Sequence, residues 1–347
     1  VKFFTVRGEK RVEKKRIYYW DNLKCLLIFL VVLGHFLIPV LSDGRSIQAV
    51  YYFVYLFHMP AFIFVSGYFA KSYIKKGAPN INKLTGFLIL YLVYKVLIWA
   101  VESLLAGKYT GFEIFTESSA PWYMLGMFAW LLMLPLFAKF KGVVSITVTI
   151  VLGLVIGFED YFNAFLCLSR IFVFLPFFLA GYYFKGEFVQ RLTSRKVRIL
   201  SAVFLCICLV TVILKLDWIK SFEGMLYGNR SYHIFIKIIS QNKAMLVRAG
   251  WYAVAFITTF AVMSLIPKRK LIISYIGERT LAIYIVHRLI RTLFTHYDLY
   301  HMVSPGGIGL LVFCVVVSAV LTFILSGRRL SELFQRVFKI SYNKFLI

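Results

Sequence analysis

Acidic residues are scarce in this sequence: 15 Asp and Glu stand against 40 Lys and Arg in 347 residues. Charged residues of every kind make up only 16%, where soluble chains carry about 25%. Too few polar side chains remain to cover soluble domains. The same shortage excludes a nucleic-acid-binding protein, which the net charge of +25 would otherwise suggest. Cysteine is also sparse. Cys25, Cys167, Cys206, Cys208 and Cys314 all lie in apolar runs and form no CxxC pair, so neither a disulfide framework nor a metal site is expected. No Pro- or Ser-rich linker and no internal repeat divides the chain, which predicts one membrane domain without a soluble catalytic domain.

What the chain has in excess is apolar surface: 61% hydrophobic residues, 35 of them Phe, and a mean hydropathy of +0.79. A membrane-spanning helix needs about 20 predominantly apolar residues. Runs of that order begin near Leu23, Val50, Leu84, Trp122, Val143, Phe165, Val197, Ala244, Ile272 and Ile308. They are continuous rather than alternating, which favours helices over a barrel. The expected fold class is therefore all-α, a polytopic integral membrane helix bundle of about ten transmembrane helices. Trp122–Phe137 and Val143–Phe158 are short, and are expected to be tilted, bent or re-entrant. The expected organisation is a basic cytosolic segment over 1–20, a transmembrane domain over 21–326 with an outer loop at about 215–243, and a basic cytosolic tail over 327–347.

Basic residues in short loops favour the cytoplasm. With the N-terminal segment inside, 25 of the 40 basic residues fall on the cytoplasmic side, 7 in outer loops and 8 within spans. An even number of helices then returns the C-terminal tail to the cytoplasm, as expected for a multi-pass protein of a bacterial plasma membrane. The run from Leu23 to Val40 offers no small-residue cleavage site around Gly34-His35-Phe36, so it reads as a retained first helix.

Ionisable residues inside spans are costly and point to function. Asp21 and Lys24 stand at the cytoplasmic start of the first helix, and His35 lies deep within it. Eleven residues separate Lys24 from His35, about 16 Å along a helix and close to three full turns. A cation near the cytosol and an imidazole toward the outer half are thus expected on one face, lining the same cavity wall. His58 precedes Pro60, which should free a carbonyl and kink the second helix, and Ser66-Gly67 offers a close approach for a neighbouring helix. Arg170 marks the outer end of the sixth run. His287, Arg288 and Arg291 are expected to bound an outer mouth, while Lys95 and Glu102 share a face and line a solvated groove. In the outer loop, Trp218, Phe222, Tyr227, Tyr232 and Phe235 alternate with Glu223, Asn229, Arg230 and His233. These rings suit either a carbohydrate platform or an interfacial aromatic belt.

Several segments, taken in order, resemble the membrane-bound acyltransferase family 3. They are Trp20-Asp21-Asn22-Leu23-Lys24 with Gly34-His35-Phe36, Phe57-His58-Met59-Pro60 with Ser66-Gly67-Tyr68, Pro121-Trp122-Tyr123, Ser169-Arg170-Ile171-Phe172, and Thr280-Leu281-Ala282-Ile283-Tyr284 with His287. The likeness extends over nearly the whole chain and is nearest to the fucose 4-O-acetylase and polysaccharide O-acetyltransferase branch. It implies transfer of an acyl group, acetyl first, from cytosolic acetyl-CoA or another acyl-CoA to an extracytoplasmic carbohydrate, such as a capsular or exopolysaccharide or a lipid-linked glycan. It implies His35 as the catalytic histidine, paired with Lys24. Asp21, His58, Arg170 and His287 are then candidates for substrate binding, and Lys71, Lys75, Lys76 and Lys83 for the anionic donor. Where relatives carry an arginine pair before the third helix, this chain reads Asn80-Ile81-Asn82-Lys83. His35 could act as general base or carry the acyl group itself. Polytopic transport or flipping of a glycan, and an inactive scaffold, are the competing readings. No repeated half of the kind seen in inverted-repeat transporters is visible.

Overall fold

The computed structural model describes residues 17–75, 78–117, 119–303 and 306–339, with the side chains of Lys75 and Ala78 left out. The basic segment through Arg16, and Lys76 and Lys344, lie outside the described residues. The first three apolar runs form α1 (Tyr18–Leu37), the pair α2 (Arg45–Tyr55) and α3 (His58–Ala70), and α4 (Ile81–Ala106). A two-residue antiparallel ladder, β1 (Ile74–Lys75) with β2 (Ala78–Pro79), joins α3 to α4. Next come α5 (Trp122–Phe137), α6 (Gly142–Val155) and α7 (Leu168–Tyr183). The short α8 (Phe188–Leu192) precedes α9 (Arg195–Leu214), and α10 (Leu216–Ser221) with α11 (Glu223–Tyr227) occupies the outer loop. The chain continues through α12 (Gln241–Leu265), α13 (Thr280–His296), α14 (Gly307–Leu325) and α15 (Arg328–Phe338).

Among the described residues, six helical segments are long and apolar enough to cross a membrane: Tyr18–Val40, Arg45–Ala70, Ile81–Ala106, Arg195–Leu214, Gln241–Leu265 and Gly307–Leu325. The apolar helices α5, α6 and α7 have 16, 14 and 16 residues, or about 21–24 Å at 1.5 Å per residue. That is less than the roughly 30 Å hydrocarbon core, in keeping with the short runs read in the sequence. The helices are unequally enclosed. The apolar windows of α1 and of α2–α3 are 61% and 67% buried, against 11% for α9 and 28% for α14. Candidate functional groups on the first two spans therefore sit at the centre of the bundle, while α9 presents most of its surface outward.

Pro60 acts on the second span by a route that backbone arithmetic explains. A helix hydrogen bond runs from residue i to i−4, so Pro60 has no N–H for the carbonyl of Leu56. The helix stops at Leu56, Phe57 turns aside at φ −139°, and α3 restarts with His58. The expected kink is thus a full break, placed before His58. The ninth run departs further from expectation. An α-helix from Ile272 is replaced by a 3₁₀ turn over Ile272–Glu278, and α13 begins only at Thr280. The cause is contact with α1: a Cβ on Gly277 would lie 1.9 Å from the carbonyl oxygen of Asp21. The same loop is tied to Asn22, whose Nδ2 donates to the carbonyls of Pro267 and Arg269 (both 2.9 Å) while its Oδ1 accepts from Ser274 (2.6 Å).

Helices α3 and α7 meet through Ser66-Gly67 and Gly181. Cβ atoms there would come within 1.8 Å of the Phe178 and Phe64 carbonyl oxygens respectively, so only glycine on both helices permits the crossing. The outer loop has its own small core of Phe222, Met225, Tyr232, Phe235 and Ala244. Beneath it lies fully buried Arg248, which donates to the carbonyls of Gly153 (3.2 Å) and Arg230 (2.7 Å).

Candidate active site

A cavity of about 460 Å³ opens at the end of the bundle that carries the 215–243 loop. Its walls come from α1 (Val31, His35), α2 and α3 (Tyr51, Tyr55, His58), α5 (Trp122), α7 (Arg170, Phe174), the loop (Tyr227, Asn229, Arg230) and α13 (Tyr284, Arg288, Arg291). His35 is the α1 group that faces it with titratable nitrogen. Behind His35 stands His287, fully buried and absent from the lining. The two rings are stacked, 4.9 Å between centroids and 13° apart.

The hydrogen bonds of this pair assign their tautomers when both rings are neutral. A backbone carbonyl can only accept, so His287 Nδ1–H donates to the carbonyl of Ile283 (2.8 Å). His287 Nε2 is then an acceptor, and His35 Nδ1–H donates to it (2.7 Å). The remaining nitrogen of His35, Nε2, carries an unprotonated lone pair. His58 follows the same logic: Nδ1–H donates to the Val54 carbonyl (2.9 Å), in the last turn of α2, leaving its Nε2 as acceptor. Tyr55 packs on His58 at 4.5 Å and on Tyr51 at 4.0 Å, and Tyr51 donates to Tyr227 (2.8 Å). This aromatic wall was visible in the sequence only as the Tyr51-Tyr52-x-x-Tyr55 spacing, which places Tyr51 and Tyr55 on one helix face.

Arg170 donates through Nε to the Tyr227 carbonyl (3.3 Å) and lies 5.2 Å above the Trp122 ring. Its helix is anchored to the outer loop where Ser169 donates to Gly228 (2.9 Å). Arg288 pairs with Glu102 at 3.2 Å. Lys95 instead meets Glu117 at 3.6 Å, so Lys95 and Glu102 of α4 have different partners. Both do line a second polar cavity of about 390 Å³, as the solvated-groove reading expects. Burial pushes the Glu117 carboxyl upward, against the opposing effect of Lys95.

The cytoplasmic candidates lie elsewhere. Asp21 is buried and paired with Lys24 at 3.1 Å, and Lys24 also sits 5.2 Å over the Phe69 ring. Neither lines the cavity that holds His35, so the expectation of one shared wall is not met. The reason is geometric: the groups stand at opposite ends of α1, and the inner one is engaged by its own helix and by α3. Likewise, of the four residues expected to bind substrate, His58 and Arg170 reach the cavity, whereas Asp21 and His287 do not. Lys71 lies over the Tyr68 ring at 4.4 Å and donates to the Phe184 carbonyl; Lys83 donates to Ser72 (3.0 Å). Lys75 is placed by its backbone on β1. Asn80, which stands in the region where relatives carry arginines, caps α4 by accepting from the Lys83 N–H (3.2 Å). The sequence reading did not single out Asn22 as a structural clamp. Its only local signal was a polar amide amid apolar residues at the helix start.

Nodulation protein NolL of Sinorhizobium fredii (strain NBRC 101917 / NGR234) is 24% identical over 287 residues, covering 77% of this chain and 76% of its own. No solved structure matches. Residues 17–327 match the family described as acyltransferase domain, the span from the start of α1 to the end of α14. The chain belongs to acyltransferase family 3 and is a multi-pass membrane acyltransferase of that family.

Proposed function

We propose that the protein moves an acyl group, acetyl first, from cytosolic acyl-CoA to a hydroxyl of a carbohydrate held in the outer cavity. The carrying observation is the chain Ile283 carbonyl, His287, His35, which leaves His35 Nε2 as a bare base at the cavity wall. In the reaction Nε2 takes the proton of the sugar hydroxyl as its oxygen attacks the thioester carbon. The C–S bond then breaks, and the imidazolium returns its proton to the departing thiolate. General-base assistance of this kind is worth about 10²–10⁴-fold. His287 acts as a positioning residue, holding the productive tautomer. His58 and Arg170 face the same space and suit binding of the acceptor or of the thioester carbonyl. The rings of Trp122, Tyr55 and Tyr227 supply the apolar faces that sugars pack on.

Donor access is supported by an apolar cavity of about 210 Å³ between α4, α5, α13 and α15, lined by Phe62, Phe87, Leu90, Tyr123 and Phe338 among others. Tyr284 belongs to the walls of both cavities, so a pantetheine arm threaded there would approach His35 from the other side. Lys24, Lys71 and Lys83, at the end bearing most of the basic loops, suit the phosphates of CoA. The purified protein in nanodiscs, given labelled acetyl-CoA and an oligosaccharide, should transfer label to the glycan. His35→Ala should abolish transfer at unchanged membrane level and melting temperature; retained transfer in that variant would refute the assignment.

A further inference from the structure

The outer cavity has a charge balance that a neutral acceptor does not explain. Four guanidinium groups line it, Arg170, Arg230, Arg288 and Arg291, and no Asp or Glu is among its described lining residues. Arg288 meets the carboxylate of Glu102. Arg170 donates to the Tyr227 carbonyl and lies over the Trp122 ring. Arg291 Nε is buried without a hydrogen-bond partner among the described residues. Several carboxylates at this end are committed elsewhere: Glu117 to Lys95, Asp217 to Arg45, Asp43 and Asp298 to His301. Glu223 accepts from Tyr52 (2.8 Å). Gathering like charges inside a membrane bundle is unfavourable unless something of opposite sign shares the space.

We infer that the acceptor is an anionic saccharide, whose carboxylate or phosphate is held by Arg230 and Arg291 while the hydroxyl to be acylated faces His35. Guanidinium forks match both anions in bidentate geometry, and 460 Å³ falls within the range of about 300–1,000 Å³ typical of small-ligand sites. The identification of the occupant as acceptor rests on the acyltransferase reading; the preference for an anion rests on the arginines alone. The two are separable by measuring binding without donor.

The probes are trigalacturonate, glucose 1-phosphate, neutral maltotriose and CoA, titrated into the full-length protein in nanodiscs. One of the anionic saccharides should bind about tenfold or more tightly than maltotriose, the worth of one charge-assisted hydrogen bond. Whichever binds tighter identifies the anion as carboxylate or phosphate. Raising the salt concentration should narrow the gap, and Arg291→Gln should largely erase it. Arg230 is solvent-exposed at the cavity mouth, so Arg230→Gln keeps the test open if Arg291→Gln does not fold. Equal binding of neutral and anionic saccharides by a protein that still transfers label would overturn the inference and leave the enzyme reading intact. Competition by CoA for the saccharide site would also overturn it, because the arginines would then serve the donor. Anion-selective binding with no transfer would uphold the preference for an anion and overturn the assignment of the occupant as acceptor.

Discussion

The two ends of α1 carry similar polar residues and use them in opposite ways. At the inner end, Asn22 makes three hydrogen bonds to the 267–274 loop, Asp21 and Lys24 pair, and Gly277 presses against the helix backbone. At the outer end, His35 spends one nitrogen on His287 and turns the other toward a cavity crowded with arginine. A polar group in a membrane bundle must be satisfied. When the protein itself supplies every partner the group holds the fold together, and when a partner is missing the group is available to a ligand. By this criterion the inner end is a clamp and the outer end is where the proposed reaction is placed, although both looked equally functional as isolated residues.

The strongest way to break this contrast is at the clamp. Gly277→Ala would drive a methyl into the Asp21 carbonyl, since the Cβ position lies 1.9 Å from that oxygen. Backbone atoms cannot yield as a side-chain tip can, so overpacking should cost about 1–3 kcal/mol or more. The expected result is less folded protein and a lower melting temperature by fluorescence-detected size exclusion, with activity per folded molecule retained. A variant that folds normally but transfers no acyl group would reverse the assignment, making the inner end part of the chemistry.

A smaller effect, confined to rate, is expected one layer behind the base. His287→Phe keeps a ring against His35 but removes the acceptor for its Nδ1–H, so the imidazole is free to place its proton on Nε2. In a serine protease the wrong tautomer costs about 10⁴ in kcat; here, where the productive form remains accessible, a fall on the order of tenfold is expected. The loss should appear in kcat with KM for the glycan nearly unchanged, because His287 is absent from the cavity wall. His287→Gln, whose amide oxygen can accept, should recover part of it. Equal loss in both variants together with a lower melting temperature would mean that His287 only fills space.

How much of this was legible beforehand follows from the range of each interaction. Ten apolar runs, the Ser66-Gly67 contact and the disturbance caused by Pro60 are local, and the spacing of residues declares them. The break at Leu56–Phe57 even follows from counting four residues back from Pro60. The rest depends on pairs far apart in the chain. Asn22 meets Ser274 and His35 meets His287 across 252 residues each. Nothing in either neighbourhood states which polar group will be consumed as a strut. Lys95 and Glu102 illustrate the same limit: their shared helix face was readable, their separate partners on the 107–121 loop and α13 were not.

The outer end also has a clasp of its own, which gives the mildest prediction. Protonated His301 donates through Nε2 to Asp43 (2.9 Å) and through Nδ1 to Asp298 (2.6 Å), tying the turn after α1 to the loop before α14, where Gly307 N–H also donates to the Asp43 carbonyl. Hydrogen bonds to Asp43 and then Asp298 hold the imidazole above its ordinary 6.5. A raised value means that the protonated form is favoured in the folded protein. Its contribution is complete below about 6.5, and fades as pH rises through the raised value. The site is fully exposed, so the effect is local and salt-sensitive. Hydrogen exchange of 297–303 should therefore accelerate, beyond the intrinsic pH dependence, as pH is raised from 6 toward 9 (~3 units, spanning the titration of a histidine), and His301→Gln should remove that excess. If His301 titrates at or below 6.5 in the intact protein, the clasp is not ionic. The outer rim would then be held by the Gly307–Asp43 backbone bond alone, and the cavity mouth would be indifferent to pH.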